Sequence, residues 1–222
     1  YSIMLVGAFS SYLTIFYVCG GDNDMGAKYM GLFGTVTTFS TLAAIAGVTW
    51  ISSRIGKRKT FIIAISIMLF GSILKWFCYD PMTTWLVILP APFIAVGMGA
   101  LFTLMGSMVA DVCDLDELET GERREGMFGA IYWWMVKLGM ALAFGASGFL
   151  LNATGFVVDF GGAQTSSTFF WMRVVDVGIP AAGCIIAIFS VASFKITEEK
   201  SYEIRSELEK RRKKTILPEK VS

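Results

Sequence analysis

Histidine is absent from this 222-residue chain. Ser-His and Cys-His catalysis, most zinc sites and haem ligation go with it. Charge is sparse: 17% of residues are Asp, Glu, Lys or Arg, against roughly a quarter in a soluble globule. The net charge is +1, which gives no footing for a nucleic-acid partner. The four cysteines, Cys19, Cys78, Cys113 and Cys184, form no C-x-x-C pair. They sit in or beside apolar runs and read as small buried apolar residues. Cys19 and Cys78 both fall near the outer ends of spans, which leaves a bridge between them open. No catalytic group, metal or cofactor is expected.

What the chain has instead is apolar length. Hydrophobic residues make up 55% of it, and the charges gather in short stretches between long apolar runs. Crossing the hydrocarbon core takes about 20 apolar residues. Six such segments can be drawn, near 1–20, 29–52, 60–79, 84–110, 127–151 and 169–194. The expected fold is therefore an all-α membrane protein with six transmembrane helices in one bundle, 1–194, followed by a charged tail, 195–222. The polar connections are Gly21-Asp22-Asn23-Asp24, the basic run 54–59, Asp80-Pro81, the mixed-charge loop 111–126, and a stretch with Asp159, Gly161 and Gly162. The chain starts at Tyr1 inside an apolar run with no charged region before it. It reads as a piece of a longer protein, not as one opening with a signal peptide.

Lys and Arg set the orientation. The 54–59 loop holds four of them, the 111–126 loop two and the tail nine, so fifteen of nineteen fall on one face. That face is expected to be cytoplasmic, in a bacterial-type inner membrane. In the tail, Thr197 caps a short helix with Glu198 and Glu199 in its first turn and Lys/Arg at its end, which suits the helix dipole. Ile204 and Leu208 form a narrow apolar stripe. The expectation is a surface helix, solvated or resting on anionic lipid through residues 210–214.

Lys137 is the sharpest single residue. It falls near the middle of the fifth span, where a Lys costs roughly 2.5–3.5 kcal/mol on insertion scales. Such a residue faces a cavity or a partner. Trp133 and Trp134 lie one turn before it, and Ala141 and Gly145 continue its face with small side chains that let helices approach. Aromatics beside a cation suit the apolar CH faces of a sugar. Tyr12 and Tyr17 on the first span are further candidates for a substrate pathway. No span carries a mid-membrane Asp or Glu, so the counter-charge of Lys137 is expected outside this chain. Asp176 is expected to pair with Arg173 three residues before it. Lys75, about one turn from a span end beside Trp76 and Tyr79, is expected to snorkel. The loop from Asp111 mixes both signs at the mouth of two spans. It reads as solubility and topology, or as ion pairs that close one gate of an alternating-access protein.

The segment Ala110-Asp111-Val112-Cys113-Asp114, with Glu117, Thr120-Gly121-Glu122-Arg123-Arg124-Glu125-Gly126 and Lys137-Leu138-Gly139, resembles the glycoside-pentoside-hexuronide:cation symporters. These are melibiose-permease-like members of the major facilitator superfamily. Arg54-Ile55-Gly56-Lys57-Arg58-Lys59 is similar to that superfamily's basic loop, with Ser53 in place of its usual acidic residue. Thr197-Glu198-Glu199-Lys200 and 204–211 are similar to the family's tail. The resemblance implies helices seven to twelve of a twelve-helix facilitator fold, the C-terminal half. It implies sugar or glycoside symport with Na⁺ or H⁺, and a partner in the N-terminal six-helix half, which would bind the coupling cation. It places Lys137 at a functionally important lysine and Asp111, Asp114, Glu117, Arg123 and Arg124 in a charged cytoplasmic gate. Thr103 departs from the aromatic residue of melibiose-type members, so the motif does not name the sugar. The rival reading is a non-transporting receptor or scaffold with the same fold. The lack of a membrane-embedded carboxylate pair or Ser-based motif argues against an intramembrane enzyme, and the lack of a filter-like repeat against a channel.

Overall fold

The computed structural model describes residues 5–157, 160, 163–193 and 198–216. The expected features at Asp159, Gly161, Gly162 and Thr197 lie outside these residues. Among the described residues the chain is helical, without strands. Helix α1 (Gly7–Tyr12) passes into a π-helical segment, Leu13–Val18. Then follow α2 (Asn23–Ile55), α3 (Lys57–Cys78), a 3₁₀ segment (Thr84–Ile88), α4 (Ala91–Thr120), α5 (Glu125–Ala153), α6 (Ser166–Ala192) and α7 (Glu198–Ile216). Five of the described helices are long and apolar enough to cross a membrane, and Phe9–Val18 forms a shorter apolar one. Apolar surroundings favour this architecture because a helix satisfies every backbone N–H and C=O within its own segment. The hydroxyls of α2 follow the same rule: Thr35, Thr37, Thr38, Thr41 and Thr49 each donate to the carbonyl four residues back.

The helix ends are set by local chemistry. Asp22 caps α2 by accepting from the N–H groups of Asp24 and Met25, both at 3.0 Å. Gly56 alone separates α2 from α3, at φ 87°, where a Cβ would be strained. The basic residues expected in a loop are therefore split between the last turn of α2 and the first turn of α3. Gly121, in the left-handed conformation at φ 76°, ends α4 with its N–H on the carbonyl of Glu117. The helix thus runs ten residues beyond the sequence-predicted end at Ala110. Asp111, Asp114, Asp116 and Glu117 sit on helix, not on loop. Acidic side chains are unfavourable at the negative end of a helix dipole, so this extension needs cations from elsewhere.

Two apolar cores hold the bundle. One joins Val48, Phe61, Ile65, Ala100, Leu104, Met108, Cys184 and Val191, from α2, α3, α4 and α6. The other joins Phe9, Leu13, Tyr79, Val87, Phe156, Phe169 and Met172 at the opposite end. Helices α3 and α4 cross closely over glycine. A Cβ on Gly97 would lie 2.5 Å from Met68, and one on Gly71 would lie 2.6 Å from Phe93. Helix α5 stands apart. Ala143 is its one buried residue among those described, and Trp133, Trp134, Met135, Leu142, Phe144 and Phe149 are exposed. Only near its C-terminal end do Leu150 and Leu151 pack on the second core. All four cysteines are free thiols, so Cys19 and Cys78 make no bridge.

Candidate functional site

At the end of the bundle where the basic residues gather, the side chains converge on Asp111. It is 4% exposed. Its carboxylate accepts Lys57 Nζ at 2.6 and 2.8 Å, Arg205 at 2.9 Å and the Ser201 hydroxyl at 2.9 Å. Arg205 also reaches Asp114 at 3.3 Å. Arg211 donates to the carbonyl of Leu118 at 2.9 Å, satisfying one of the free carbonyls of the last turn of α4. Arg124 grips Asp116 bidentately at 2.6 and 3.0 Å. Arg123 pairs with Glu125 and stands 3.8 Å from Glu117. These partners push both guanidinium groups further up, Arg123 mainly through its hydrogen bond to Glu125 and Arg124 through Asp116. The cations that the extended α4 needs thus come from α3, α7 and the 121–124 connection.

Helix α7 does not stand free of the bundle: it packs on α4 through its narrow apolar stripe, while Tyr202, Glu203, Glu209 and Lys210 stay exposed. Ile204 and Leu208 are buried, Ser201 is 8% exposed, and the helix packs on α4. The expected gate set Asp111, Asp114, Glu117, Arg123 and Arg124 lies at one end of the bundle, but in three separate groupings. Sequence reasoning missed Lys57, Asp116, Ser201 and Arg205. A basic loop and a basic tail look alike whether they face water or a carboxylate. The visible signal was the run of acids at the end of an apolar helix.

At the opposite end, Lys75 and Asp176 form an ion pair at 2.8 Å, with side chains 12% and 0% exposed. Neither expectation for these residues holds. Lys75 does not snorkel, and Arg173 does not pair with Asp176. Arg173 instead donates to the carbonyl of Trp76 and to the Tyr17 hydroxyl, and lies over the rings of Trp76 and Tyr17. A Lys on α3 directed into the bundle reaches the carboxylate, whereas Arg173 finds two aromatic faces and a carbonyl on neighbouring segments. Beside the ion pair lies a cavity of about 230 Å³, lined by Ser10, Ser11, Thr14, Lys75, Tyr79 and Pro180 among others.

Of the expected pathway residues, Lys137, Trp133 and Trp134 lie together on the uncovered part of α5, all exposed. Among the described residues no ion pair forms with Lys137. Tyr12 is in an aromatic cluster with Phe16 and Phe156, and Tyr17 is beneath Arg173 and beside Phe169. The structure thus keeps Tyr12 and Tyr17 apart from the α5 trio.

The apolar helices and their internally satisfied polar groups define an all-α integral membrane protein. The sequence profile of the family described as MFS/sugar transport protein matches residues 3–198, and the chain belongs to that family. It is 36% identical over 129 residues to an uncharacterized symporter of Synechocystis sp., covering 54% of this chain and 23% of that protein. To a glucuronide carrier protein homolog of Escherichia coli it is 25% identical over 211 residues, covering 95% and 45%. To an isoprimeverose transporter of Lactiplantibacillus pentosus it is 24% identical over 155 residues, covering 70% and 32%. The matches span less than half the length of each of these relatives. Their descriptions are of symporters, carriers and transporters, so the family is not one of enzymes. No solved structure matches the chain.

Proposed function

We propose that the chain is the C-terminal half of a twelve-helix secondary transporter that moves a sugar or glycoside together with Na⁺ or H⁺ by alternating access. The observation that carries this reading is α5. A helix apolar on nearly every side, with a single described residue buried and a lysine near its midpoint, lacks a covering surface within its own bundle. A second six-helix bundle would supply it, enclosing Lys137, Trp133 and Trp134 in a central cleft. The carboxylates that answer Lys137 and hold the coupling cation would belong to that other half. Tyr12 and Tyr17 would line the approach at the end remote from the charged network. The likeness to a glucuronide carrier homolog and to an isoprimeverose transporter supports a glycoside as substrate.

In this reading six spans cross a bacterial inner membrane, with residues 54–59, 111–126 and 195–222 in the cytoplasm. The network around Asp111, Asp114, Glu117, Arg123 and Arg124 then stands at the cytoplasmic mouth, where ion pairs that form and break would alternate with substrate access. Uptake of labelled glycosides by cells expressing the full-length protein tests the assignment. Lys137→Ala should abolish accumulation at normal membrane abundance, and unimpaired accumulation refutes the central role of α5.

A further inference from the structure

The cavity of about 230 Å³ has one polar corner, and there nearly every hydrogen is already committed. Asp176, fully buried behind the lining, accepts from the Ser10 hydroxyl at 2.6 Å and from the Tyr79 hydroxyl and Lys75 Nζ, each at 2.8 Å. Lys75 also donates to Ser10 Oγ at 2.8 Å. The remaining hydroxyls of the lining turn back to their own helices. Ser11 donates to the carbonyl of Gly7 at 3.2 Å, Thr14 to that of Ser10 at 2.7 Å and Ser72 to that of Met68 at 3.0 Å. An ammonium carries three N–H groups. Two of those on Lys75 have partners, and the third meets only the ring face of Tyr79, whose centroid is 5.7 Å away. It is the one strong donor that the described lining leaves for a ligand.

The other walls are apolar: Val6, Phe33, Val87, Ile94 and Pro180. Pro180, one turn beyond Asp176, has no N–H to offer either a ligand or the Asp176 carbonyl. Cys78, Val87 and Pro90 are buried, whereas Gly7, Ser11, Met30 and Phe33 are exposed or half-buried. The mouth therefore lies between the first helix and α2, and its rim is largely apolar. Two classes of ligand fit poorly behind it. A charged molecule would leave an unbalanced charge beside a pair that already cancels, at a high desolvation cost. A sugar ring would bring many hydroxyls to a single free donor and lose their hydration without replacement.

We propose that this cavity binds a small neutral lipophile, one or two fused rings with a single acceptor oxygen, as a ligand distinct from the transported solute. The rings lie against the apolar walls, where their burial supplies most of the affinity. The oxygen accepts the third N–H of Lys75 and leaves the ion pair with Asp176 intact. The volume is below the roughly 300–1,000 Å³ typical of pockets for drug-sized ligands, which sets the limit of two rings. A molecule of this kind dissolves in hydrocarbon and can enter through the apolar rim from within the bilayer. Once seated it touches the first helix, α2, α3, α4 and α6 together. Its binding therefore stabilises the whole bundle by mass action.

Cys78, a free thiol in the cavity wall, reports on occupancy. The test compares three probes on the purified full-length protein: tetralone, tetralin, which has the same rings without the oxygen, and tetrahydronaphthoate, which carries a carboxylate. Alkylation of Cys78 by N-ethylmaleimide is followed by peptide mass mapping, alongside thermal melting. Tetralone should slow alkylation of Cys78 but not of Cys19, which lies outside the cavity, and should raise the melting temperature with concentration. Tetralin should need about tenfold more for the same protection, the usual loss for a hydrogen bond to a charged donor. Tetrahydronaphthoate should protect nothing. In the neutral pair Lys75→Met/Asp176→Asn, tetralone and tetralin should protect alike. Val87→Phe, which fills the cavity, should abolish protection. If Val87→Phe fails to fold, Ser11→Phe at the rim takes its place, and if the neutral pair fails, the three probes on the unaltered protein decide. No protection by tetralone, equal protection by tetralin, protection by tetrahydronaphthoate, or undiminished protection in the filled variant overturns the assignment.

Discussion

Arg205 on the last helix and Asp111 on α4 meet at 2.9 Å across 94 residues of sequence. This contact joins the tail to the bundle. Arg205→Ala leaves Asp111 with Lys57 and Ser201 and takes the partner from Asp114. Because the Arg205 side chain is 46% exposed, solvent screens the interaction, and the expected cost is about 1 kcal/mol. Amide hydrogen exchange across 198–216 should accelerate while α3 and α4 stay protected. Unchanged exchange would show that Ile204, Leu208 and the contacts of Ser201 and Arg211 hold the tail without it.

Lys57 and Asp111 should be energetically coupled. Lys57 Nζ donates to both carboxylate oxygens of Asp111, and the two side chains are 17% and 5% exposed. In a thermal-melt cycle with Lys57→Met, Asp111→Asn and the double variant, the coupling should be about 1–3 kcal/mol. The double variant should melt above Lys57→Met, since the latter leaves a buried carboxylate short of a cation.

Gly97 and Gly106, both on α4, should respond oppositely to alanine. A Cβ at Gly97 meets Met68 Cβ and Sδ at 2.5 Å, so α3 and α4 must separate, at a cost of about 1–3 kcal/mol. A Cβ at Gly106 meets nothing within 4 Å. There the gain in helix propensity should stabilise by roughly 0.5–1 kcal/mol. Melting temperatures in one detergent decide both.

Pro180→Ala should restore the hydrogen bond to the carbonyl of Asp176 and raise thermal stability, by up to about 3 kcal/mol on helix-propensity grounds. If the break in α6 serves transport, the same variant should slow uptake in cells. Faster melting would instead show that the ring of Pro180 packs better than the bond it displaces.

Much of the architecture was legible in composition alone. Apolar length located the long helices to within a few residues at most ends, and the clustering of Lys and Arg identified one end of the bundle. What escaped were pairings between distant segments. Local spacing offered Arg173 to Asp176, but α3 runs alongside α6 and brings Lys75 to the carboxylate instead. Hydropathy stopped α4 at Ala110 because the next residues are acidic. Their cost at a helix C-terminus is offset by Lys57 and Arg205, which no periodicity connects to them. Lys137 was legible as an anomaly, and it stands exposed on α5.

A chain is synthesised from its N-terminus, and the ion pair between α3 and α6 gives that order a consequence. Lys75 is translated, and its helix must enter the bilayer, before Asp176 exists. Until α6 emerges, the ammonium has the Ser10 hydroxyl and the ring face of Tyr79, with whatever lipid or insertion machinery surrounds it. The last apolar helix therefore delivers an acid that an earlier one has awaited, and insertion of α3 should be reversible until that delivery and locked after it.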